Sequence, residues 1–224
     1  MTDARPEPGN DREIIYVGDP MCSWCWGFAP VLQRIKTGYA AVVPLRVVVG
    51  GLHAFETKPM SDNYKRTIRH HWEQVAAATG QPFNYAFFDR EGFVLDTEPA
   101  CRASVTMRSI KPAALLSFYE SIHKGYYVED TDTTATETFV AYAEREGVDG
   151  AAFAKAFESD AMKSETLADF HWCQETGITG FPTVVLREDD KMAALTMGYQ
   201  PFDNLQPALD AWTRGELSLH QAAE

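Results

Sequence analysis

Two cysteines separated by two residues, Cys22-Ser23-Trp24-Cys25, stand between a short apolar strand pattern and the opening of a helical one. This placement constrains the chain more than any other feature. Residues 13–18 (Glu13-Ile14-Ile15-Tyr16-Val17-Gly18) form a β-branched and aromatic run that reads as a buried strand, and Asp19-Pro20 breaks it. A helical pattern then runs from Ser23 to about Lys36, with Pro30 expected to kink it or stress it. A cysteine at a helix N-terminus meets unpaired backbone N–H groups and the positive end of the helix dipole. Both favour thiolate over thiol, and the thiolate is the nucleophile of disulfide exchange. Cys25 lies one turn further on, within reach of a mixed disulfide formed at Cys22. The spacing therefore supplies an attacking thiol and a resolving thiol. The competing use of such a pair is half of a zinc site, which needs four ligands, often as two close pairs. Cys101 and Cys173, the other two of the four cysteines, are isolated, and the six histidines form no cluster with them, so no metal site is expected.

The rest of the chain divides around this motif. Val42 to Val49 reads as a second strand, apolar on both faces as in a central parallel strand. Six helical segments follow, over residues 61–79, 98–109, 112–123, 133–145, 150–158 and 161–175; the fourth is expected to start with Thr133 as its cap. After Gly180 the pattern returns to strands at 183–187 and 192–197 around the polar turn 188–191, then a closing helix over 201–212. The order is βαβ, several helices, then ββα. In Gly177-Ile178-Thr179-Gly180-Phe181-Pro182-Thr183 a proline enters directly into an apolar strand, a position it occupies only where no ladder donor is needed. A cis Phe181–Pro182 bond at a strand edge is expected there, leaving backbone groups free for an extended substrate.

The segments 19–28 (Asp19-Pro20-Met21-Cys22-Ser23-Trp24-Cys25-Trp26-Gly27-Phe28) and 177–183 together resemble the DsbA-like thioredoxin superfamily. More narrowly they resemble its cytoplasmic branch of FrnE-related protein-disulfide isomerases, as does Asp96-Thr97-Glu98-Pro99-Ala100-Cys101-Arg102-Ala103. The resemblance covers roughly residues 13–214. It implies an α/β, thioredoxin-like fold with a large all-helical insertion: a thioredoxin-like domain over 13–52 and 178–214, an insertion over 53–177, a flexible N-terminus over 1–12 and a C-terminal tail over 215–224. The dipeptide between the cysteines is Ser23-Trp24, with no histidine to hydrogen-bond the thiolate, unlike that of strongly oxidising relatives.

The net charge of −12 argues against nucleic acid or anionic membranes as partners, since both need clustered lysine and arginine. The polar N-terminal segment has no signal-peptide pattern and no stretch is long and apolar enough to span a bilayer, so a cytoplasmic location is expected. The expected activity is thiol–disulfide exchange on disulfide-containing proteins or small thiols, with Cys22 and Cys25 catalytic. Trp24, Phe181 and Pro182 are the substrate-binding candidates. Asp19 is either a proton acceptor near Cys25 or a turn former before Pro20. His53 follows Gly50-Gly51-Leu52 at a strand end, as a site residue or a surface one. Cys101 and Cys173 read as small buried hydrophobes or as a second redox element. Phe83, Tyr85, Phe87, Phe88 and Phe93 read as core. No cofactor is expected, with glutathione the candidate co-substrate. The alternatives are a glutathione-dependent isomerase or kappa-class-like transferase, in which one thiol suffices, and a non-enzymatic holdase for unfolded chains.

Overall fold

The computed structural model describes residues 11–220. Strand β1 (Arg12–Gly18), helix α1 (Ser23–Tyr39) and strand β2 (Leu45–Val49) come first. Helices α2 (Asp62–Thr79), α3 (Glu98–Ile110), α4 (Leu115–Tyr127), α5 (Thr136–Arg145), α6 (Gly150–Phe157) and α7 (Asp160–Glu175) follow. Strands β3 (Thr183–Glu188) and β4 (Lys191–Met197) and helix α8 (Phe202–Thr213) close the chain. The sheet order is β2-β1-β3-β4, with β1 parallel to β2 and antiparallel to β3. The result is a thioredoxin-like βαβ…ββα frame carrying an all-helical insertion.

The central strand is apolar on both faces because both are covered. Ile14 and Tyr16 join Val47, Val49, Val184 and Leu186 in the core shared with α1, α4 and α8. Ile15 and Val17 point the other way, with Val48 and Val185, onto Cys173 of α7. The alternation required by the strand's two-residue period is thus hidden from hydropathy.

Several boundaries differ from the sequence reading. β2 begins at Leu45 rather than Val42, because Val42 and Val43 both donate to the Tyr39 carbonyl and close α1, and Pro44 has no N–H for a ladder. α4 continues four residues beyond His123, after a 3-10 turn at Pro112–Ala114. α5 starts at Thr136, with Ala135 at its N-cap and no side-chain cap; the Asp132 carboxylate takes the N–H and hydroxyl of Thr134 and holds that stretch as a turn. Of the expected flexible N-terminus, residues 1–10 lie outside the described residues, and Arg12 is already in β1, paired to Glu188 at 2.7 Å. The same Glu188 carboxylate accepts the Leu219 N–H at 2.7 Å, which ties the C-terminal segment to the sheet; residues 221–224 lie outside the described residues.

Pro30 lies within α1, which remains helical from Ser23 to Tyr39. A proline leaves the carbonyl four residues earlier without its helical donor. That carbonyl belongs to Trp26, and the Gln81 side chain donates to it at 2.9 Å. A residue of the insertion therefore completes the helix that carries the cysteines.

Candidate active site

The approach to α1 is a tight turn, with the Cys22 N–H donating to the Asp19 carbonyl at 3.0 Å and the Trp26 N–H to the Cys22 carbonyl at 3.1 Å. Cys22 is the N-cap residue of α1 and takes extended backbone angles there. Both thiols are free. Cys22 is 5% exposed and borders a cleft of about 320 Å³, whereas Cys25 is 0% exposed. The two sulfurs interact directly, and burial, followed by the neighbouring Cys22 thiol, pushes the Cys25 thiol well up from its ordinary range. The pair is asymmetric: one sulfur faces a cleft and the other is shut away behind it.

Phe181 forms the opposite wall. The Phe181–Pro182 peptide bond is cis, and the Cys22 thiol lies 3.6 Å from the Phe181 carbonyl oxygen. Phe181 is half-buried and lines the cleft with Met21, Ser23 and Trp24, whereas Pro182 is buried and does not line it. Trp24 is half-buried and packs against Tyr199 at a centroid distance of 5.9 Å, and Trp26 is in the core with its indole N–H on the Pro82 carbonyl. Gly50, at the end of β2, gives Phe181 its room: a Cβ there would stand 2.0 Å from the ring. Its N–H donates to the Gly18 carbonyl at 2.9 Å, extending the β1–β2 pairing to the site.

Asp19 is fully buried. Its carboxylate accepts the N–H groups of Met21 at 2.8 Å and Leu52 at 2.7 Å, and the Cys101 thiol donates to it at 3.4 Å. Burial pushes the carboxyl pKa up against the opposing pull of these bonds. The backbone of Asp19 faces Cys25, while its carboxylate clips the cysteine turn to the loop after β2 and to α3. Cys101 is therefore buried against Asp19, and Cys173 is buried on the far face of the sheet, 3.9 Å from the Val49 carbonyl, with burial pushing its thiol up to about 12. His53 stands in the wall between the Cys22 cleft and a neighbouring cavity of about 470 Å³, and its Nε2 hydrogen-bonds the Tyr64 hydroxyl at 2.9 Å. Of the aromatic stretch, Phe87 and Phe88 are in the core and Phe83, Tyr85 and Phe93 pack half-buried against it; Phe83, Phe87 and Phe88 surround the buried Trp72 at 4.7–5.2 Å.

Sequence reasoning missed Tyr16, Tyr119 and His123, all fully buried behind the cysteines. Tyr16 had a signal: it is the one hydroxyl in the otherwise apolar run 14–17. His123 had none beyond its place four residues after Tyr119. Among the described residues no group of three or more His, Cys, Asp or Glu could hold a metal, and no helix is long and apolar enough to cross a membrane.

A thioredoxin-like frame with a two-cysteine helix start facing a cis-proline loop defines the class of thiol–disulfide oxidoreductases. The chain belongs to the DSBA-like thioredoxin domain family, whose model matches residues 13–210. A structure from Nitrosomonas europaea described as a candidate protein disulfide isomerase is 35% identical, with a TM-score of 0.87 over 92% of this chain and 100% of that one. The cytosolic disulfide reductase DsbM from Pseudomonas aeruginosa is 23% identical and shares the fold, with a TM-score of 0.75 over 90% of this chain and 98% of that one. A curated relative, the ClpXP adapter protein SpxH from Halalkalibacterium halodurans, is 22% identical over 89% of this chain and 67% of its own length. The chain spans 58% of the SpxH relatives from Bacillus subtilis and Bacillus licheniformis.

Proposed function

We propose that this protein catalyses thiol–disulfide exchange with Cys22 as attacking thiol and Cys25 as resolving thiol, reducing or isomerising disulfides of proteins or small thiols in a reducing, cytoplasmic setting. The observation that carries the reading is the asymmetry of the pair: Cys22 opens on a cleft beneath the Phe181 carbonyl, and Cys25 is sealed behind it. An extended substrate laid along Phe181 brings its disulfide to the only cysteine it can reach. Attack by Cys22 breaks the substrate S–S bond and leaves a mixed disulfide. Cys25 then attacks the Cys22 sulfur, the protein disulfide forms and the second substrate thiol departs. The substrate disulfide is reduced and the two protein thiols are oxidised. Trp24, Phe181 and Pro182 form the binding wall. Glutathione is the small thiol this cleft is proposed to take, a reading supported by a solved complex of the related DsbM with GSH.

Insulin reduction and trapping of covalent complexes test this together. Cys22→Ala should abolish turnover. Cys25→Ala should form the mixed disulfide and fail to release it, so that covalent complexes accumulate. Full turnover by Cys25→Ala would instead favour the one-thiol, glutathione-dependent isomerase reading. Suppression of client aggregation by a variant lacking both thiols, without any thiol turnover in wild type, would favour the holdase.

A further inference from the structure

Resolution requires a sealed thiol to lose its proton, and the groups around Cys25 offer a way out that does not pass through the substrate cleft. Tyr16 lies on β1 with its ring folded across Gly18, where a Cβ would meet the hydroxyl at 2.5 Å. Its hydroxyl interacts with the Cys25 thiol and with the Tyr119 hydroxyl. Tyr119 and His123 are one turn apart on α4, their rings edge-to-face at 4.8 Å. The hydroxyls of Tyr16 and Tyr119 and both ring nitrogens of His123 are buried with no full hydrogen bond to the protein. These four atoms, like the neighbouring Tyr127 hydroxyl, fall short of full hydrogen-bond geometry, which is costly in a core unless water or transient proton sharing satisfies them. Tyr119 and His123 also line a second, small cleft between α1 and α4, bordered by Gln33 and Glu120. Its volume of about 10 Å³ suits one water, and it shares no residue with the Cys22 cleft.

We propose that Tyr16, Tyr119 and His123 form a proton relay that carries the Cys25 proton to solvent through the cleft between α1 and α4. The proposal rests on the reading of Cys22 and Cys25 as the redox pair. As the Cys25 sulfur bonds to the Cys22 sulfur, the electron pair of the Cys22–substrate bond leaves with the substrate sulfur. The Cys25 proton passes to the Tyr16 oxygen, which gives its own proton to Tyr119, which gives its own to one ring nitrogen of His123. The other ring nitrogen releases a proton to water at Glu120 and Gln33. One proton leaves, no tyrosinate or imidazolium accumulates, and the departing substrate thiolate is protonated from solvent on the other side. Burial, against the opposing pull of the Asp19 backbone that faces the ring, holds the His123 imidazole down at about 3, which keeps it a neutral acceptor–donor rather than a resident cation. The other titratable groups around the Cys25–Tyr119 pair are Cys22 in the same helix, Tyr127 of α4, Cys101 of α3 and the Asp19 carboxyl.

The test forms the Cys22–glutathione mixed disulfide by mixing reduced protein with oxidised glutathione and follows its formation and decay by rapid acid quench and mass spectrometry. Wild type, Tyr16→Phe, Tyr119→Phe, Asp19→Asn and Cys25→Ala are compared across pH in H2O and D2O. Both Phe variants should form the adduct at the wild-type rate and resolve it at least tenfold more slowly at pH 7, below the full range of about 10²–10⁴ for positioned proton transfer. The deficit should shrink as pH rises and Cys25 ionises directly, and the solvent isotope effect on resolution should change. Either Phe variant suffices if the other is unstable, since each keeps the ring and removes only the hydroxyl oxygen. Wild-type resolution in the Phe variants overturns the relay, as does a slowing that is equal at every pH. So does a pH-dependent loss confined to Asp19→Asn, which would give the proton to that carboxylate. Resolution in Cys25→Ala at the wild-type rate would overturn the redox-pair reading itself, a distinct outcome.

Discussion

At the residue scale, the site depends on atoms that are missing as much as on those present. Gly50 has no Cβ, and the Phe181 ring occupies the space one would fill. Gly50→Ala must push that rigid ring, and with it the carbonyl beside Cys22. We expect disulfide reduction to fall ten- to hundredfold, the cost of about 1 Å of misplacement, while alkylation of Cys22 by a small reagent stays within a few fold. Equal loss in both assays would show that Gly50 supports Cys22 itself. His123 gives a second prediction. Its pKa is held near 3 by burial, against about 6.5 when unfolded, so below pH 6.5 the unfolded chain takes up a proton that the folded one refuses. Stability is thus lost as pH falls. Between pH 7 and pH 5 the wild type should lose about 2 kcal/mol more than His123→Phe, by denaturant unfolding at each pH. A pH-independent difference would mean that His123 is not buried neutral. Neither residue announces itself in the sequence, because a glycine after a strand and a histidine in a helix each have commoner uses.

At the scale of elements, the cysteine helix and the first sheet edge are both finished by the insertion. Gln81 supplies the donor that Pro30 removes from α1. β2 is an edge strand, and edges leave unpaired backbone groups. Here Arg108 of α3 donates to the Val47 carbonyl at 2.7 Å and, through both terminal nitrogens, to Asp169 of α7, which in turn accepts the Val49 N–H at 3.0 Å. Arg108→Ala removes donors from two partly buried acceptors, and a loss of about 1–3 kcal/mol is expected in urea unfolding, with faster amide exchange along β2. Unchanged exchange at Val49 would show that the pair does not protect the edge. The repair of the helix at Pro30 and the loss of Val42 and Val43 from the strand escape the sequence for the same reason. Local propensity cannot see a side chain brought in from 51 positions away, as Gln81 is, nor a helix end that captures two N–H groups.

At the scale of the whole molecule, the core does not stop at the junction between frame and insertion. One buried cluster runs from Ile14 and Tyr16 of β1 through Trp72 and Tyr127 to Phe153 and Phe157 of α6. Trp72 is enclosed by Phe83, Phe87, Phe88 and Tyr127, and Tyr127 stacks on Trp26 of α1. With no separate core to melt first, thermal unfolding should be a single transition, coincident by tryptophan fluorescence and far-ultraviolet circular dichroism. Trp72→Ala should lower stability by about 3–5 kcal/mol for frame and insertion alike. Two resolved transitions would contradict the continuous core.

The sequence by itself determined the element order, the position of Cys22 at a helix start and of Cys25 one turn inside it, and Pro182 at the head of a strand, because these follow from local periodicity and from the backbone chemistry of cysteine and proline. Tertiary structure alone decided that Cys22 faces a cleft while Cys25 is sealed, and that the Asp19 carboxylate spends its oxygens on Met21, Leu52 and Cys101. It also decided that Tyr16, Tyr119 and His123 meet behind the cysteines. These contacts join residues far apart in the chain, as Tyr16 and Tyr119 are at 103 positions. Burial and proximity at that range are properties of packing, which side-chain period and turn chemistry leave open.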